Sequence, residues 1–168
     1  MEKPISVVEQ TQFANIVTRV VVERDGKYLM VQEGKPYIRG LWAFPGGKLD
    51  VGEMLTVSAV REIREETGVE VELVGVIGLQ YFLWDDRPGF TYELDLLGRA
   101  VSIPDTIVTS EEILDIAWKT KEEIHALEEG GKLRNKGHAT IAKLLAGDVV
   151  LPISAVIEGN AQPPAEVA

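Results

Sequence analysis

The amino-acid sequence predicts an α/β domain (α+β mixed) in which a sheet and helices stack in layers. Two observations lead there. Runs rich in valine and isoleucine stand on both sides of one amphipathic helical stretch, and a second helical stretch follows the later strands. A sheet hides one face and a helix one stripe, so stacking covers both. With 168 residues and 45% hydrophobic content, the chain suits one domain with an ordinary core.

Residues 1–12 read as a flexible lead-in to a single domain over residues 13–157, and residues 158–168, with Pro163 and Pro164, read as a mobile tail. Phe13 to Glu23 and Lys27 to Gln32 are extended apolar runs. Asp25-Gly26 between them is a hairpin signal. Gly34 to Gly40 is a loop carrying Lys35, Tyr37 and Arg39, which suit contact with a phosphate or a base but are also ordinary surface-loop residues. Leu41 to Phe44 alternates as a short strand, and Pro45-Gly46-Gly47 breaks it.

Leu55, Ala59, Val60 and Ile63 then recur at helical spacing, and Gly68 suits the left-handed position that ends a helix. Val69 to Trp84 is one or two strands, with Gly75 and Gly78 marking a bulge or bend. A turn at Asp85 to Gly89 leads to a strand over Phe90 to Val101. Of the aromatics around that turn, Tyr81 is the candidate stacking partner for a nucleobase, while most of the others read as core. Glu111 to Trp118 is a strand bringing two acids to the sheet rim. Thr120 and Glu123 have capping-box spacing for a helix through Leu127 that Gly130-Gly131 ends. A last helix is expected near Gly137 to Ala146. Val149 to Ile157 is expected to add a strand or to meet a second subunit in a homodimer.

The chemistry gathers on the central helix. Glu62, Glu65 and Glu66 stand at i, i+3 and i+4 and project from one side. Like charges at these spacings cost roughly 0.2–0.5 kcal/mol per pair, and in the last turn the helix dipole opposes them as well. Arg61 offsets part of this by reaching Glu65. A solvated acidic face is the bland reading. Hard oxygen ligands so crowded also suit Mg²⁺ or Mn²⁺, and a carbonyl of the glycine loop can join them. Lys48, beside that loop, suits a phosphate.

Gly47, Glu53, Arg61-Glu62-Ile63-Arg64-Glu65-Glu66, Gly68 and Val69 together resemble the signature box of the Nudix hydrolases at every defining position. The Trp42 loop, the EEILDIAW segment and the TKEEIHAL helix also look like that family. The resemblance implies the Nudix fold, an α/β/α sandwich with a central mixed β-sheet. It implies that the Gly47 carbonyl with Glu62, Glu65 and Glu66 binds metal, that Glu53 adds a ligand or an outer contact, and that Arg61 orients the glutamates. The implied reaction is hydrolysis of a nucleoside diphosphate linked to another moiety, or of a nucleoside triphosphate, by water attack at phosphorus. Glu62 is the first candidate for general base, with Glu111 and Glu112 as alternatives. The markers of the ADP-ribose and dinucleoside polyphosphate branches are not met, so the substrate stays open among small nucleotides.

Seventeen basic against 27 acidic residues give a net charge of −10. That balance argues against a broad nucleic-acid surface, and so against the alternative of an RNA 5′-end pyrophosphohydrolase. A second alternative, a non-catalytic nucleotide sensor, fits poorly because no box glutamate is missing. Without cysteine there is no disulfide framework, thiolate nucleophile or zinc–thiolate cluster. His125 and His138 each lack a partner at relay spacing. The start lacks a signal peptide's apolar run, and nothing approaches the ~18 apolar residues of a membrane span. The expectation is a cytoplasmic protein.

Overall fold

The computed structural model describes residues 14–84, 89–106, 109–134, 150–156 and 158–159. Strands β1 (Ala14–Arg24) and β2 (Lys27–Glu33) form the expected hairpin. Both turn residues are left-handed, Asp25 at φ 52° and Gly26 at φ 72°. The twist of such a turn matches that of its strands. Then come β3 (Trp42–Ala43), β4 (Gly46–Lys48), helix α1 (Leu55–Thr67), the long strands β5 (Glu70–Leu83) and β6 (Phe90–Ser102), β7 (Ile113–Lys119), helix α2 (Lys121–Glu129) and a two-residue β8 (Leu151–Pro152).

The strand order is β3-β2-β1-β6-β5-β8, with β4 also on β1 and β7 also on β2. The sheet is mixed, because β1 runs parallel to β6 while the other strand pairs are antiparallel. Two of the three register shifts in β5 fall between Leu73 and Gly75 and between Val76 and Gly78, where the two glycines predict them, and the third falls between Glu70 and Val71.

Alternation along β1 divides the core into two layers. Val20 and Val22 pack with Leu29, Val31 and Leu96 against Ala59 and Ile63 of α1. Val21 packs with Tyr28, Met30, Trp42 and Phe44 against Ile124 of α2. The result is the expected helix–sheet–helix sandwich.

Gly68 ends α1 at φ 72° with its N–H on the Arg64 carbonyl. At α2 the capping box is complete, with Thr120 accepting from the Glu123 N–H and Glu123 accepting from the Thr120 N–H.

Three expectations change. β7 starts at Ile113, so Glu111 and Glu112 lie in the preceding turn, where the Gly34 N–H donates to the Glu112 carbonyl (2.7 Å) and takes up part of the backbone. The aromatics of β5 and β6 are not buried core: Tyr81 is 52% and Tyr92 40% exposed, and Phe82 and Phe90 are half-buried. Residues 150–156 form a short strand on β5 and a 3₁₀ turn, Ile153–Ala155, rather than one continuous strand. The Asp85 to Pro88 part of the turn, the helix expected near Gly137 to Ala146, His138, the lead-in and the proline tail lie outside the described residues.

Candidate active site

Arg61 is the centre of the acidic helix face. Its Nε and Nη2 each reach a Glu53 carboxylate oxygen at 2.8 Å, and its Nη1 donates to Glu62 at 2.9 Å and Glu65 at 3.1 Å. A planar guanidinium can fork in this way and an ammonium cannot. The pairing with Arg61 pulls the Glu53 carboxyl down to about 2. A weaker Nη2 contact to the Lys48 carbonyl, 3.3 Å, ties the helix to the glycine strand.

That strand presses on the glutamates. A Cβ at Gly47 would lie 2.3 Å from the Glu62 carboxylate, and one at Gly46 would meet the Thr18 carbonyl at 2.2 Å. The Gly46 N–H donates to Glu66 at 2.9 Å. Burial pushes the Glu66 carboxyl up to about 7 and nearby Glu62 and Glu33 add to the rise, while the Gly46 hydrogen bond and Arg19 oppose it.

Gly47, Lys48, Glu62, Glu65 and Glu66 all face one cavity of about 1060 Å³. Its floor is the sheet. In the parallel register Val17 stands beside Glu93 and Arg19 beside Asp95, while Thr91 is opposite Phe82 on β5. Alternation therefore brings Asn15, Arg19, Thr91, Glu93, Phe82 and Trp84 to the cavity side. Trp84 Nε1 donates to Thr91 Oγ1 at 3.0 Å, which fixes the indole at the outer end. At the opposite rim Lys35 pairs with Glu112 at 3.3 Å, and Arg134 Nη1 is hydrogen-bonded to buried Glu33.

Set into that floor is a buried polar network that the sequence reading missed. Arg19, 2% exposed, donates to Glu93 at 2.9 Å and to the Phe44 carbonyl. Phe44 precedes the Pro45-Gly46 turn whose amide holds Glu66, so Arg19 braces the glycine loop from below. Asp95 accepts from Gln80. Burial pushes its carboxyl up to about 7, and Glu93 adds to that shift. The available signal was a charged residue inside each of two apolar runs, but the partners are 74 positions apart.

Two residues expected to contact substrate lie outside this cavity. Tyr81 does not line the cavity; one residue of register puts it on the other sheet face, 5.5 Å from the Phe90 ring and 5.2 Å from the Tyr92 ring. Arg39 does not line it either, because its guanidinium donates to the Gly34 carbonyl at 2.9 Å. Of the alternative bases, Glu112 lines the cavity and Glu111 does not.

The NUDIX domain model matches residues 13–140. The chain belongs to the Nudix hydrolase family. This Nudix chain is 28% identical over 118 residues to a nucleoside triphosphatase NudI of Enterobacter, covering 64% of the chain and 83% of that protein. It is 37% identical over 60 residues to an 8-oxo-dGTP diphosphatase of Buchnera aphidicola, covering 36% and 46%. Of the first two curated relatives, the chain spans 19% and 46% of the length. A NUDIX hydrolase structure from Nitrosomonas europaea superposes with a TM-score of 0.74 at 25% identity, covering 88% of this chain and 98% of that one.

The box residues of this Nudix chain suit a divalent cation. The donors are all hard oxygens, and a cation would offset both the burial that chiefly raises Glu66 and the smaller push from the Glu62 charge. Among the described residues, no three His, Asp or Glu side chains stand at metal-ligand spacing. Arg61 bridges Glu62 and Glu65. Among the same residues, no helix is long and apolar enough to cross a membrane.

Proposed function

We propose that this chain is a Mg²⁺- or Mn²⁺-dependent pyrophosphohydrolase of small nucleotides, acting on a nucleoside triphosphate or on a nucleoside diphosphate linked to another moiety. The observation carrying the reading is that the Gly47 strand and Glu62, Glu65 and Glu66 form one wall of a cavity whose outer end is aromatic and hydrogen-bonding. Glu62, Glu65, Glu66 and the Gly47 carbonyl would hold the cation. Once bound, it would neutralise charge on the phosphoryl oxygens and acidify the attacking water.

The chain's own groups do the rest. Lys48, at the same wall, meets a phosphate. Glu62 has one oxygen held by Arg61 and its carboxylate against Gly47, and it takes the proton of the attacking water. Glu112 is the competing base from the opposite rim. Water adds to phosphorus, the anhydride P–O bond breaks, and the departing phosphate carries the electron pair. Glu53 is committed to Arg61, so its part is to orient that arginine. Phe82, Trp84, Thr91 and Asn15 receive the nucleoside end. Relatives named for nucleoside triphosphates and 8-oxo-dGTP support a nucleotide substrate. The proposal includes a reducing cytoplasm as the compartment, which a chain without cysteine suits.

The test incubates the protein and its Glu65→Gln and Glu66→Gln variants with Mg²⁺ or Mn²⁺. The panel holds nucleoside triphosphates, nucleotide sugars, dinucleotides and 5′-triphosphate RNA, in water labelled with ¹⁸O. The expected result is label in a phosphate product from a small nucleotide, no turnover with chelator, and most activity lost in both folded variants. Variants that match the parent would overturn the ligand assignment, and RNA as best substrate would overturn the substrate class.

A further inference from the structure

Helix α1 carries every box acid except Glu53, yet its own sequence leaves its start uncapped. Met54 occupies the N-cap with no side-chain hydrogen bond, and no acid lies in the first turn. The first amides of a helix have no partner within it, and the start of the helix attracts negative charge. The missing cap comes from the other end of the chain. Glu158 accepts from the Thr56 N–H at 3.1 Å with one oxygen and from the Thr56 hydroxyl at 2.5 Å with the other, across 102 positions.

Contacts of residues 150–156 bring Glu158 there. Leu151 and Pro152 pair with Val76 and Gly75 of β5. Gly75 permits the approach, since a Cβ on it would lie 2.4 Å from Val150 Cγ1. Ile153 and Val156 then pack against the core cluster under α1. Ile153 also shares a groove with Thr56, Val60 and Arg61. This segment lies beyond residue 140, where the match to the family ends.

We propose that residues 150–156, together with Glu158, form a strap that fixes α1 against the sheet, and that Glu158 is a positioning residue for the cation-binding acids. It touches neither substrate nor cation. By holding the first turn it removes slip and rotation of the helix, and with them the play in Arg61, Glu62, Glu65 and Glu66. The inference rests on the enzymatic reading above for the purpose of the strap, but not for the capping itself.

The test compares the parent with Glu158→Ala, Glu158→Gln and the double variant Glu158→Ala/Met54→Asp. Met54 is already extended, at φ −82° and ψ 148°, so an aspartate there supplies a local cap. Three readouts are taken: amide hydrogen exchange along α1, Mn²⁺ affinity by electron paramagnetic resonance without substrate, and kcat separately from KM. Loss of a cap should speed opening of the helix about 2- to 30-fold. In Glu158→Ala, exchange is expected to rise through Glu66, Mn²⁺ affinity to fall several-fold, and kcat to fall with little change in KM. Glu158→Gln should fall between, and the double variant should recover all three.

Faster exchange confined to Leu55 and Thr56 with parental Mn²⁺ affinity would overturn the positioning role. So would a double variant that regains thermal stability without regaining affinity. If the parent itself binds no Mn²⁺, the enzymatic reading fails, and exchange at the Glu65 and Glu66 amides still decides whether the strap holds the helix.

Discussion

Arg61 and Glu53 meet through two parallel hydrogen bonds of 2.8 Å each, and the remaining Arg61 nitrogen holds Glu62 and Glu65. One side chain therefore sets the relative position of three acids. A lysine keeps the charge and loses the fork. Arg61→Lys is expected to retain its circular dichroism spectrum, to lose about 1–2 kcal/mol of stability, and to lose at least roughly tenfold in kcat, the cost of about one charged hydrogen bond. Steady-state kinetics beside urea denaturation checks this, and parental kcat would refute it.

Neighbouring glycines should fail in different ways. An alanine at Gly47 presses on the end of a side chain, Glu62, whereas one at Gly46 meets backbone at Thr18 and must also hold φ 149°. Gly47→Ala should fold with a nearly parental melting temperature and little activity. Gly46→Ala should lose roughly 2–4 kcal/mol of stability. Thermal melts and turnover on both variants separate the two effects.

Asp95 makes stability depend on pH in an unusual direction for an acid. Its folded pKa of about 7 lies above the ordinary 3.8, so the folded state holds a proton that the unfolded chain has released. Stability from this group is full below about pH 4, declines as pH rises toward 7, and stays low above that. Asp95→Asn should flatten the slope between those limits and raise stability at pH 8 by roughly 1–4 kcal/mol. Urea denaturation across pH 4–9 measures it, and an unchanged slope would count against the buried-carboxyl account.

Alternation along β5 and into Trp84, just past its end, separates Trp84 from Tyr81, the aromatic that the sequence favours for stacking. Trp84 lines the cavity and Tyr81 does not. Trp84→Ala should raise KM for the best nucleotide about tenfold, in line with stacking worth ~1–3 kcal/mol per base. Tyr81→Ala should leave KM within about twofold. Equal effects from the two variants would misplace the nucleoside end.

The sequence exposes what has a fixed local spacing. The acidic helix face, the stop at Gly68, the Asp25-Gly26 hairpin and the Thr120–Glu123 cap are each contained within a few residues. Each is found where its chemistry predicts it. What stayed hidden depends on distant partners or on parity. Arg19 reads as an intrusion in a valine run until β6 lies beside it. Tyr81 and Phe82 differ only in which face of the sheet they reach, and a strand with bulges at Gly75 and Gly78 does not carry its register openly. Glu158 sits among residues that read as a tail, and only its contact with Thr56 reveals a cap.

The parallel pairing of β1 with β6 also governs the order in which the molecule can be completed. During synthesis, Ala14 to Glu23 must wait until Phe90 to Arg99 has been made before its second edge is closed. Until then a nascent chain presents an open, valine-rich ribbon, the kind of edge that pairs with other copies. The buried arginine at its middle discourages such mispairing for as long as Glu93 has not arrived to neutralise it.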